Sequence, residues 1–113
     1  MVITCPNGEG FDIRLLLKNS TSIEHEHLNL FNPESICIAL KKLKFDIKEI
    51  FTPGKLDLDI VKNTFELKKI KTSSNYFLDK IIFSKNNKLQ NNFQKFLIDN
   101  NFSSNMWVVA KTK

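Results

Sequence analysis

The sequence predicts an α/β chain. Three short apolar runs, at residues 2–5, 45–52 and 106–110, read as strands, and the stretches between them place apolar residues at helical spacing. The order is strand, long loop, helix, strand, helices, strand. No repeat or linker divides it, so residues 1–113 read as one small domain.

The first run, Val2-Ile3-Thr4-Cys5, closes on Pro6-Asn7-Gly8, a strand running into a turn. Residues 10–27 read as irregular, with one apolar piece at 13–17; a loop of that length in a small domain is usually functional. Asn32-Pro33-Glu34 is a helix start: Asn as N-cap, Pro at the first helical position, an acid in the first turn. Ile36, Ala39, Leu40 and Leu43 then form one apolar stripe, and the helix ends near Lys44. Residues 45–52 read as a strand with Phe45, Ile47 and Phe51 on one face, and Glu49 breaks the alternation. After the Thr52-Pro53-Gly54 turn, Asp57 is placed to cap a helix whose Leu58, Val61 and Phe65 share a face, with Lys68, Lys69 and Lys71 at its end. A further helix spans about 75–84, with Phe77/Ile81 and Leu78/Ile82 pairs, and another starts near Asn87 with Leu89, Phe93, Phe96 and Leu97 in register. Met106-Trp107-Val108-Val109-Ala110 is a continuous apolar run and reads as a strand buried on both faces, with Trp107 in the core.

Composition narrows the function classes. Lys and Arg number 17 against 12 Asp and Glu, a net charge of +5, but Arg14 is the only arginine. Sequence-reading nucleic-acid sites lean on bidentate Arg, and lysine here comes with abundant Asn, so the charge reads as background and no nucleic-acid partner is expected. Two cysteines, Cys5 and Cys37, make neither a disulfide framework nor a zinc pattern; Cys37 is expected as a small buried helix residue. No apolar run approaches membrane-spanning length and the N-terminus carries no basic leader, so a reducing, cytoplasmic location and no membrane partner are expected. The first strand begins almost at Met1, and apolar strands such as 2–5 and 106–110 want neighbours on both sides, which predicts a truncated or split reading frame.

Four segments, "CPNGEGFDI", "EHEHLNLFNPESI", "TPGKLDLDIVKN" and "FLIDNNFSSNMWVVAK", in that order over nearly the whole chain, resemble the C-terminal half of bacterial class I S-adenosylmethionine-dependent methyltransferases, a group often linked to sugar or polysaccharide genes. The resemblance implies a partial Rossmann-like sheet. Residues 2–5, 45–52 and 106–110 would be its fifth, sixth and seventh strands, the last antiparallel and inserted between the other two, with flanking helices and a helical insertion at about 57–101. It implies a transferase fragment acting on a small-molecule or sugar-type acceptor. It also implies what is missing: the Gly-rich turn and acidic strand end that hold the cofactor. With only Gly8, Gly10 and Gly54, and no helix opening on a third glycine, Gly8-Glu9-Gly10 reads as a loop turn. The fragment alone is therefore expected to be inactive and to bind S-adenosylmethionine poorly, and a separate N-terminal half or a homo-oligomer is the expected partner. The family has Gly where Lys44 stands; a left-handed turn kept there would cost about 1 kcal/mol.

His25-Glu26-His27 offers two imidazoles and a carboxylate, too few for a metal site by themselves. His27 is the candidate base, since methyl transfer to oxygen or nitrogen makes the acceptor more acidic and an imidazole titrating at about 6.5 can take the proton. Glu26, Asn29 and Phe31 lie in the segment that the resemblance puts over the acceptor side, where a purely structural loop is the plainer alternative. Asn7 ends the first strand, where it can meet an acceptor hydroxyl or make an Asx turn. The competing function is a stand-alone α/β binding or interaction module without catalysis.

Overall fold

The structure is a computed structural model and describes residues 1–17 and 30–112. Its elements are β1 (Val2–Pro6), α1 (Phe11–Leu16), α2 (Pro33–Lys42), β2 (Phe45–Phe51), α3 (Asp57–Leu67), α4 (Tyr76–Ile82), α5 (Asn87–Asp99) and β3 (Asn105–Thr112). The strands make one sheet in the order β1-β3-β2, and β3 runs antiparallel to both neighbours. β1 and β2 therefore point the same way, and the last strand separates them.

The helix starts follow from asparagine chemistry. Asn32 accepts from the Ser35 N–H at 2.8 Å while the Ser35 hydroxyl accepts from the Asn32 N–H at 2.9 Å, a reciprocal cap on α2. Asn75 and Asn86 cap α4 and α5 by accepting from the N–H groups of Leu78 and Leu89. At the other end of α2, Lys44 adopts φ 66°, so the left-handed turn is kept without glycine. Leu43, expected on the apolar stripe, is exposed, because the helix has ended before it can turn inward. Cys37, expected buried, is half-buried on the flank of α2.

Three further expectations are corrected. Part of the stretch read as irregular is helical: α1 is six residues long and inserts Ile13 and Leu16 into the core, one turn apart. In β2 the ladder skips Lys48, with Ile47 opposite Ala110 and Glu49 opposite Val109. That bulge reverses the facing of everything after it. Ile50, not Phe51, joins Phe45 and Ile47 against α2, and Phe51 packs on Trp107 on the opposite face at 5.9 Å. Finally, β3 is not buried on both sides. Met106, Val108 and Ala110 are buried, whereas Trp107 between them is 41% exposed.

Two cores result. One lies between the sheet and α2 and is built from Ile36, Leu40, Met106, Val108 and Ala110, with Ile3, Ile47 and Ile50 at its edge. The other lies among α1, α3 and α4, from Leu16, Leu58, Val61, Phe65, Ile81 and Ile82. No helix among the described residues is long and apolar enough to cross a membrane.

Candidate functional site

β1 and β2 end on either side of the start of β3, and the loops that follow them meet the chain entering β3. Ligands of open α/β sheets sit beyond such strand ends. The loops are sewn together there by backbone bonds: Asn7 N–H donates to Ser104 O at 2.7 Å, Phe11 N–H to Phe102 O at 2.8 Å, and Gly8 N–H to Phe31 O at 2.7 Å.

Asn7 is fully buried in this seam. Its Nδ2 donates to the carbonyls of Asn101 at 2.9 Å and Ser103 at 3.0 Å, and its Oδ1 accepts from Glu9 N–H at 3.0 Å in an Asx turn. Both amide hydrogens and the carbonyl are engaged within the chain. Phe31 is half-buried against the sheet core and meets the seam through its backbone carbonyl. His25, Glu26, His27 and Asn29 lie outside the described residues. Asn7 and Phe31 are thus brought to one place, on opposite sides of Gly8.

The seam also holds residues that sequence reasoning missed. Asp12, Thr52, Asp57 and Ser103 are all buried. Asp57 was expected to cap α3, but the N-cap is Leu56 and makes no side-chain bond. Instead, Asp57 Oδ1 accepts from Ser103 Oγ at 3.1 Å and from Ser104 N–H at 3.2 Å, which ties α3 to the start of β3. Gln94 reaches over from α5, accepting from Asp57 N–H at 3.1 Å and donating to Gly54 O at 2.9 Å. Gly54 is required here, since a Cβ would strike the Ser103 hydroxyl. Asp12 Oδ1, Asp57 Oδ2 and the Thr52 hydroxyl have no hydrogen-bond partner among the described residues. Burial, and secondarily the charge of Asp57, push the Asp12 carboxyl up to about 6, so it shifts between neutral and charged close to neutrality. The only sequence signal for this pair is an acid at the start of each helix, which reads equally as dipole matching.

Two observations bear on ligand binding at the seam. The Gly8 and Gly10 positions face the chain's own backbone: a Cβ would lie 2.9 Å from Leu30 O and 2.9 Å from Asn7 O respectively. These contacts make both glycines internal packing positions. Among the described residues no group of three or more His, Cys, Asp or Glu side chains is placed to hold a metal ion.

Beside the seam, between α1, α4 and α5, lies a pocket of about 310 Å³. Phe11, Phe93, Phe96 and Phe102 wall it together with three leucines, and Glu9 and Arg14 also line it. Compared with family models, with curated proteins and with solved structures, the chain finds no match.

Proposed function

We propose that this chain is the acceptor-side portion of an S-adenosylmethionine-dependent methyltransferase, one that takes a small-molecule or sugar-type acceptor and is completed by a cofactor-binding half paired along β1. The observation that carries the reading is the strand order: two strands pointing the same way with the last strand antiparallel between them, as the four resembling segments imply. The uncovered sheet face supports it. Val2 is 57% and Trp107 41% exposed, and β1 is an edge strand among the described residues.

Gly8 and Gly10 pack against the chain's own backbone and Gly54 against the Ser103 side chain, which supports reading all three as internal packing positions rather than a cofactor cradle. This chain's contribution is therefore positional. Asn7 fixes the loop after β1, and Asp57 and Gln94 fix the loop after β2. The segment 18–29, which joins α1 to α2 in the sequence, carries His27 as the proposed base.

The test has two parts. The coding DNA upstream of Met1 is expected to specify a strand, a Gly-rich turn, a helix and an acidic strand end, in frame or as a neighbouring reading frame. Calorimetry is expected to show no S-adenosylmethionine binding by the chain alone and binding once that segment is co-expressed. Micromolar binding by the chain alone, or no such segment upstream, rejects the reading and leaves a small binding module.

A further inference from the structure

We infer that the pocket between α1, α4 and α5 binds a small aromatic molecule whose one polar substituent meets Glu9 and Arg14. That this molecule is the methyl acceptor rests on the reading above; the binding site rests on the pocket.

Three observations support the inference. First, the wall is a continuous run of rings. Phe11 and Phe93 meet edge to face at 5.1 Å, Phe93 and Phe96 are stacked at 6.3 Å, and Phe96 and Phe102 are tilted at 6.2 Å. Phe96 is 52% and Phe102 40% exposed, and both line the pocket, so apolar ring surface is not fully used by internal packing. Leu15, Leu78 and Leu97 close the remaining sides.

Second, polar side chains are few: among the described residues only Glu9 and Arg14 bring them to the pocket, and no Asn, Gln, Ser or Thr lines it. A saccharide would bury several hydroxyls against this wall without partners, and each unpaired group is penalised. An aromatic ring loses nothing there and gains offset or edge contacts with the phenylalanines. The volume of about 310 Å³ admits a one- or two-ring molecule and lies at the small end of ligand sites. Sugar acceptors are thus disfavoured relative to aromatic ones.

Third, Glu9 and Arg14 are available. Neither makes an ion pair with another described residue. A hydroxyl placed between them can donate to the carboxylate and accept from the guanidinium, which defines one orientation for the ring. Glu9 lies in the loop just beyond the end of β1 and Phe11 opens α1, so the polar end of the ligand lies toward the strand ends.

The test is methyl NMR on the full chain titrated with 2-naphthol, with methyl β-D-glucopyranoside as the saccharide control. The expected result is saturable shifts confined to Leu15, Leu78 and Leu97, and no response to the glucoside. Phe96→Ala and Arg14→Ala alter exposed side chains, so both variants fold; each is expected to weaken 2-naphthol by about fivefold or more. No saturable shift, equal binding of the glucoside, or unchanged affinity in both variants overturns the inference. So do leucine shifts that track protein concentration without ligand, since a second copy of the chain would then occupy the groove. None of these readings involves S-adenosylmethionine. Naphthol binding by a chain whose completed form methylates nothing rejects the methyl-transfer reading alone. A completed enzyme that methylates a sugar while naphthol fails to bind rejects the pocket alone.

Discussion

Lys44 sits at φ 66° with an exposed side chain, and its N–H closes α2 on Lys41 O at 3.0 Å. A lysine there bears the steric cost of the left-handed region without gaining packing. Lys44→Gly is expected to raise stability by about 1 kcal/mol in urea unfolding, less a part lost to the freer unfolded chain. Asp12 makes the stronger claim. Its folded carboxyl titrates at about 6 against an ordinary 3.8, so the folded state holds the proton more tightly than the unfolded one. Its contribution to stability is complete below pH 3.8 and is lost as pH rises through 6. Between pH 4 and pH 7 the chain should lose on the order of 2 kcal/mol from this group, and Asp12→Asn should remove that slope in denaturant melts across the range. Asn7 works in the opposite sense. Asn7→Ala strands the Glu9 N–H and two carbonyls in a buried seam, and about 2 kcal/mol or more of stability should go with it.

At the level of elements, α4 and α5 depend on their caps more than on length. α4 has seven residues, below what sustains a helix in water by itself. Asn75→Ala and Asn86→Ala are each expected to cost about 1 kcal/mol, with circular dichroism showing loss of helix first in α4. The same helix is anchored at its flank: Asp79 accepts from both Ser73 groups and from the Thr72 hydroxyl, and the Ser73 hydroxyl bond leads in holding its carboxyl below the ordinary value. In β2 the extra residue, Lys48, puts Phe51 beside Trp107 and leaves Ile50 for the core. The bulge therefore decides which aromatic residues the open sheet face displays.

For the whole molecule, the two cores share no buried residue and meet through the strand-end seam. Ile82→Ala and Met106→Ala remove fully buried side chains from one core each, and each should cost about 2–5 kcal/mol. Because they belong to separate clusters with no residue in common, the double variant should be additive within about 0.5 kcal/mol. Non-additivity beyond that would mean the seam couples the cores energetically. Outside the cores, the edge of β1 and the face bearing Val2 and Trp107 expose backbone and apolar surface together. Sedimentation velocity should detect concentration-dependent association, reduced by Val2→Lys, which places a charge on that edge.

Local chemistry determined much of this chain. The Asn-Pro-Glu start of α2, the places of α4 and α5, the strand at residues 2–5 and the face of Leu58, Val61 and Phe65 are all legible in order, because caps and apolar spacing act within a few residues. Glu49 announced that the alternation in β2 breaks, but not that Lys48 would be the looped-out residue, since register depends on what β3 offers opposite. Tertiary structure alone decided the rest. Asp12 and Asp57 stand 45 residues apart, Asn7 reaches Asn101 and Ser103, and the aromatic pocket gathers residues from Glu9 to Phe102. Periodicity marks which side of an element is apolar; which surfaces then meet, and which polar groups are trapped where they do, depends on how the whole chain closes.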